Sequence, residues 1–246
     1  YVLAKKMQSM ENWKIPQDID YDKIPNIASE AKDKFGDIVK PSVKTIYFNN
    51  KWAVEFKESS EINDTFYLSS NDIVTSKSMT HSIRNDYLVT DEYTVVRDSF
   101  YNGNKITYIM PNDYDTQKVI DNGYTKYLNE LLRGEVILTT FQFETFSSYD
   151  LKETLQNLGV NGIFVGEPLT KMGDHLVTSV VKQDAGIKLS RLGVEAAAVT
   201  RIGNKATSAG PVEEPVYIKL DKPFVYIITD SNNLPLFIGT MVNPTI

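Results

Sequence analysis

Short runs of apolar, β-branched and aromatic residues, separated by polar turn residues, recur along most of this chain. In "SVKTIYFNNKWAVEF" (42–56) the β-branched and aromatic residues crowd into a strand pattern, because such side chains pack well on a pleated, half-buried surface. "TFYLSSNDIV", "YTVVRDSFYNGNKITYIMP" and "EVILTTFQFETF" repeat it, and Asn102-Gly103 marks a tight hairpin turn inside the second. Towards the carboxy end "PVYIKL", "FVYIITD" and "LPLFIGTMV" read as three more strands, with Asp230-Ser231-Asn232-Asn233 turning the last two into a hairpin.

Helical spacing is rarer. Ile24, Ile27, Ala28, Ala31 and Phe35 fit one helix, stopped by Gly36. Tyr127, Leu128, Leu131 and Leu132 suggest another, closed by Gly134. "YDLKETLQNLG" is the clearest: Asp150 and Glu153 make a capping box, Leu151, Leu155 and Leu158 form one stripe, and Gly159 ends it. Many strands with few helices give an α+β class. No internal repeat, low-complexity tract or linker divides residues 1–246, so a single domain is expected.

One segment resists simple assignment. "GVEAAAVTRIGNKATSAGPVEEP" (193–215) opens on small residues and ends like a loop. As a strand it sorts cleanly. Val194, Ala196, Ala198, Thr200, Ile202, Asn204 and Ala206 fall on one face, small or apolar except for Asn204. Glu195, Ala197, Val199, Arg201, Gly203, Lys205 and Thr207 fall on the other, with all the charges. A helical stripe through Leu189, Leu192, Ala196 and Val199 fits as well. Gly193 inside it and the β-branched Val194, Val199, Thr200 and Ile202 lower helix propensity. Local physics leaves strand and helix level.

Composition narrows the chemistry. The chain has 246 residues, net charge −6, no cysteine and two histidines against 14 tyrosines and 11 phenylalanines. Disulfides and thiol chemistry are excluded. A broad basic surface for nucleic acid is not expected, and no apolar run approaches a membrane span. His81 and His175 read as ordinary exposed or hydrogen-bonded side chains, "NDYDTQ" (112–117) as a solvated turn, and Glu213-Glu214 as surface charge. No phosphate-binding, nucleophile-elbow or zinc-protease motif is present, so neither a cofactor nor a metal is expected.

Four stretches in register carry a family resemblance. "LGVEAAAVT" (192–200) resembles the hinge of the serpin reactive loop, and "YDLKETLQNLGVNGIF" (149–164) the strand-to-helix segment before it. "LDKPFVYIITDSNNLPLFIGTMVNP" (220–244) is similar to the family's closing strands. "IYFNNKWAVEF" (46–56) is similar to its Lys-Trp strand, with Trp52 at the position of the breach tryptophan. The resemblance spans 42–246, with 1–41 atypical and 193–215 as the reactive-centre loop.

What the resemblance implies is a large mixed sheet, a smaller antiparallel sheet or barrel, a few helices, and an exposed or inserted loop. The loop would bait a serine or cysteine protease, be cut, and insert as a new strand while the protease stays tethered as an acyl-enzyme. The hinge would comprise Gly193, Val194, Glu195, Ala196, Ala197, Ala198, Val199 and Thr200. Family spacing from Gly193 puts the reactive bond at Thr207–Ser208, with Lys205–Ala206 as the alternative. The partners implied are a target protease and a second chain or segment completing the fold. The location implied is extracellular or cell-surface, with cytoplasm as the alternative.

The sequence departs from the family at several points. Lys44 and Gln183 replace the usual shutter asparagine and histidine, and Arg191 and Gln142 replace a glutamate–lysine pair at the hinge. A non-inhibitory serpin-fold binding or scaffold protein is the alternative reading, and an unrelated β-rich enzyme a weaker one.

Overall fold

The computed structural model describes residues 42–46, 48, 50–164, 178, 181–194 and 214–245. The chain divides into two compact units, Tyr1–Lys44 with Tyr149–Gln183, and Thr45–Ser148 with Asp184–Ile246.

In chain order the described strands are β1 (Ser42–Ile46), β2 (Asn50–Lys51), β3 (Ile62–Tyr67), β4 (Ile73–Val89), β5 (Tyr93–Ser99) and β6 (Lys105–Pro111). They continue with β7 (Leu132–Phe141), β8 (Phe143–Asp150), β9 (Val181–Ser190), β10 (Gly193–Val194), β11 (Val216–Lys219), β12 (Phe224–Thr229) and β13 (Pro235–Met241). Two short helices are α1 (Thr116–Asp121) and α2 (Lys152–Asn157).

The fold is α+β. An eight-stranded sheet runs β11-β7-β4-β5-β6-β12-β13, with β3 also pairing β4. It is mixed, because β11 runs parallel to β7 while its other pairs are antiparallel. A smaller, five-stranded sheet runs β1-β9-β10-β2, with β8 pairing β9.

Strand β12 explains why "FVYIIT" has no polar face: all six of its residues are buried. Phe224, Tyr226 and Ile228 join one core with Tyr108 and Phe143, while Val225 and Ile227 join a second with Val95, Ile109, Val119 and Tyr127. Period two survives, but each parity serves a different core. The hairpin after β12 is fixed by Asp230, whose Oδ1 accepts from the Asn232 and Leu234 amides at 2.8 Å. Asn102-Gly103 also forms its expected turn, with Gly103 at φ 86.

Several elements differ from the sequence expectation. The strand expected over 42–56 ends at Trp52, which makes an isolated bridge to Phe100 instead of continuing. The helix expected at 127–134 is a 3-10 turn, Tyr124–Leu128. Glu130 takes φ 62, and Leu132 already starts β7, so Gly134 sits inside a strand. "NDYDTQ" begins as the expected turn but leads into a helix: Asp115 Oδ1 accepts from the Lys118 amide at 3.0 Å and caps α1. Helix α2 begins without the Asp150–Glu153 capping box; Asp150 Oδ1 accepts from the Lys152 amide instead. The helix expected over 24–35 lies outside the described residues. Among the described residues no helix is long and apolar enough to cross a membrane.

Candidate functional site

The candidate hinge begins where β9 ends. A tight turn over Arg191-Leu192 reverses the chain, so that Gly193 pairs with Ser190 and Val194 with Leu189, antiparallel. On its other side β10 pairs antiparallel with β2, Gly193 opposite Lys51 and Val194 opposite Asn50. Two residues are thus wedged between β9 and β2, while β1, the earlier part of the same run, neighbours β9 directly.

The wedge has a steric condition. Gly193 takes φ 127, a region closed to residues with a Cβ. A Cβ there would also overlap the Asn50 carbonyl oxygen and come within 2.8 Å of the Lys51 Cα. Next to it Val194 is fully buried beside the equally buried Leu189, a burial worth about 2 kcal/mol. The Ser190 hydroxyl donates to the Gly193 carbonyl at 3.1 Å and closes the turn.

Trp52 supports this turn. Its indole Nε1 donates to the Ser190 carbonyl at 2.9 Å across 138 residues. The ring stacks on Phe100, centroids 4.8 Å apart, and meets Phe56 edge-on at 5.5 Å. Phe56 lies on the His81 imidazole at 3.6 Å. His81 Nδ1 sits 2.9 Å from the Val54 carbonyl oxygen, which can only accept, so Nδ1 carries the proton. Its Nε2 lies 3.0 Å from Asp98 Oδ2, and both side chains are buried. This histidine is buried and hydrogen-bonded through Nδ1. His175 lies outside the described residues.

The charges around the turn are rearranged relative to the family pair. Arg191 reaches Glu61 at 3.9 Å and Glu58 at 3.8 Å, the outer limit of ion pairing. Glu61 also accepts from Gln142 at 2.6 Å and from Lys77 at 3.0 Å. The Lys77 hydrogen bond, against the cost of burial, holds the Glu61 carboxyl below the usual glutamate range. Arg191 and Gln142 therefore meet through a shared carboxylate.

Asp184, on β9, is the other notable group: it is 1% exposed, and neither carboxylate oxygen has a hydrogen-bond partner.

Of the site residues read from sequence, Gly193, Val194 and Trp52 come together here. Glu195, Ala196, Ala197, Ala198, Val199 and Thr200 lie outside the described residues. So do both candidate bonds, Thr207–Ser208 and Lys205–Ala206. Sequence reasoning missed Ser190, Asn50, Glu61, Phe56 and Phe100, whose roles rest on contacts between distant positions and leave no local signal.

Comparison with known proteins gives a consistent result. The family model described as "Serpin (serine protease inhibitor)" matches residues 22–244. An uncharacterized serpin-like protein of Thermococcus kodakarensis is 27% identical over 210 residues, covering 81% of this chain and 48% of its own length. A serine protease inhibitor of Cyanea capillata is 26% identical, covering 82% and 56%. The chain thus spans about half the length of the curated relatives it matches. The crystal structure of a highly specific serpin from the insect Tenebrio molitor superimposes with a TM-score of 0.69 at 26% identity, over 82% of this chain and 55% of that one. Human thyroxine-binding globulin shares the fold, with a TM-score of 0.71 at 21% identity over 89% and 63%. With the fold, the Trp52-braced turn and these matches in agreement, the chain belongs to the serpin family.

Proposed function

We propose that this chain is a serpin-type protease inhibitor, acting on a serine or cysteine protease by suicide trapping rather than as a catalyst. The observation that carries the reading is the placement of Val194. It is buried, antiparallel to both β9 and β2, in the position that the first residues of an inserted strand would take. Continued in the same register, Ala196 would fall opposite Ile187 on one side and Phe48 on the other, both buried. A larger side chain between them would overpack the sheet. The run of alanines after Glu195 suits that passage.

The protease would attack Thr207–Ser208, or alternatively Lys205–Ala206, and its acyl-enzyme would be carried along as β10 lengthens. Inserting a strand would release free energy held in the shorter pairing. With a protease partner of this kind the protein would act outside the cell or at its surface, with cytoplasm as the alternative.

The second reading is a serpin-fold binding or scaffold protein that does not inhibit. The replaced hinge pair, Arg191 and Gln142, favours it. Incubation with elastase, subtilisin and trypsin separates the two. The inhibitor gives a covalent complex that survives detergent, whereas the non-inhibitor gives clipped chain alone.

A further inference from the structure

We propose that β13 is the pairing edge of a homodimer: two copies of this chain join antiparallel along β13, with Ile238 on the two-fold axis. The inference goes beyond the inhibitory reading and does not depend on it. Its starting observation is a strand at the end of a sheet. Among the described residues, β13 closes one end of the eight-stranded sheet and has β12 as its one paired neighbour. A terminal strand presents a row of backbone donors and acceptors ready to pair with another chain.

Exposed aliphatic side chains follow that edge. Leu234, Ile238 and Val242 are 57%, 51% and 53% exposed, and Leu236 is exposed as well. Folded domains usually blunt a terminal strand with charge. From Ser231 to Ile246 this chain has no charged residue, although 24% of its residues are charged. The contrast within the sheet is direct. β11, at the opposite end, carries Lys219, whose Nζ meets Asp64 of β3 at 2.9 Å. The guards that β13 does have, Pro235 and a register shift against Thr229, lie at its beginning and leave the strand from Phe237 onward regular.

Symmetry and charge name the occupant. Ile238 lies opposite Ile227 and Thr240 opposite Val225, so these two share the face of the second core. The other face of β13 is already filled. Met241 is fully buried, Phe237 packs on the first core, and Tyr226 lies over Gly239, where a Cβ would come within 2.4 Å of its hydroxyl oxygen. An antiparallel partner centred on Ile238 sets Ile238 against its own copy and Leu236 against Thr240 in both directions. Such a contact is isologous and closes as a dimer. It matches aliphatic with aliphatic or β-branched side chains, the cross-strand pairs that stabilise sheets, and brings no like charges together. A charged strand from a different protein would find no opposite charge on β13 to steer it.

Pairing of two copies leaves the hinge alone. β13 belongs to the eight-stranded sheet and β10 to the five-stranded one, so the dimer seam adds nothing to the pairings of β10 and takes nothing from them.

The test is sedimentation velocity of the whole chain over about a hundredfold range of concentration, with hydrogen exchange of the β13 amides read at both ends. Wild type should pass from monomer to dimer, and the β13 amides should gain protection as it does. Ile238→Lys and Ile238→Glu each set like charges on the axis and should weaken association on the order of a hundredfold. An equimolar mixture of the two should dimerise again. Tyr217→Lys, an exposed change on β11 at the other end of the sheet, should alter nothing. A wild type that stays monomeric overturns the proposal. So does Ile238→Lys that dimerises like wild type, or a mixture that stays monomeric. Loss of the dimer in Tyr217→Lys would move the contact to β11 and overturn it. Protection of the β13 amides that ignores concentration would mean that the same chain covers the edge, and would overturn it too. Should the Ile238 variants fail to fold, Thr240→Lys replaces them. Alone it should weaken the dimer; with Leu236→Glu added, which faces it across the seam, association should return. Equal association in the two overturns the pairing.

Discussion

Strands β12 and β10 are both buried, yet they are held by different means. All six residues of β12 pair with β13 and five of them, Val225–Thr229, also pair with β6, and its two faces fill two separate cores. β10 has two residues, a glycine in a conformation that only glycine adopts easily, one indole hydrogen bond to its turn, and cation contacts at 3.8–3.9 Å. The first arrangement is extensive and hydrophobic. The second consists of few contacts, which the proposed lengthening of β10 would extend. Scaffold and proposed moving part thus differ in kind, and substitutions in each should behave differently.

The largest effect belongs to the scaffold. Phe224 is fully buried, edge-on to Tyr108 at 5.4 Å and to Phe143 at 5.9 Å. Phe224→Ala should cost about 3–5 kcal/mol in urea unfolding, equally before and after loop cleavage. An effect confined to one form would break the distinction. Next comes Gly193→Ala, which forces a Cβ into the Asn50 carbonyl at positive φ. It should cost about 2–3 kcal/mol in the intact form and speed hydrogen exchange at Val194 without touching β12.

Trp52→Phe keeps an aromatic ring against Phe100 but strips the Ser190 carbonyl of its indole donor. A loss of about 1 kcal/mol is expected, again with the exchange change confined to β9, β10 and β2. The smallest effect is electrostatic. Because Lys77 depresses the folded pKa of Glu61, its stabilisation is present above the ordinary glutamate value and lost as pH falls through the depressed one. Lys77→Met should flatten that acid-side loss, and Arg191→Gln should change stability by less than about 1 kcal/mol, since both pairs are partly solvated.

The sequence carried much of the scaffold. Strand runs, the Asn102-Gly103 and Asp230–Asn233 turns, and the family motifs were all local patterns. What it concealed was non-local. Strand β9 escaped notice because Gln183 interrupts the apolar parity of Val181, Ala185, Ile187 and Leu189, and the small Ala185 and Gly186 weaken the strand signal. The chain after Trp52 read as strand because its residues favour one; the bridge to Phe100 and the His81–Val54 contact override that preference. The Leu128–Leu132 stripe looked helical, but Leu132 belongs to β7, where pairing with Tyr87 decides its conformation. At the hinge, Arg191 and Gln142 were legible as departures, but Glu61 as their common partner was not, since no spacing rule links positions 61, 142 and 191.

The central claim is that the residues after Val194 become a strand between β9 and the run carrying Trp52 once the loop is cut. Hydrogen exchange of the Ala196–Thr200 amides, followed by mass spectrometry before and after elastase cleavage, addresses it directly. The account predicts fast exchange in the intact chain and strong protection after cleavage. Equally fast exchange in both forms would contradict it.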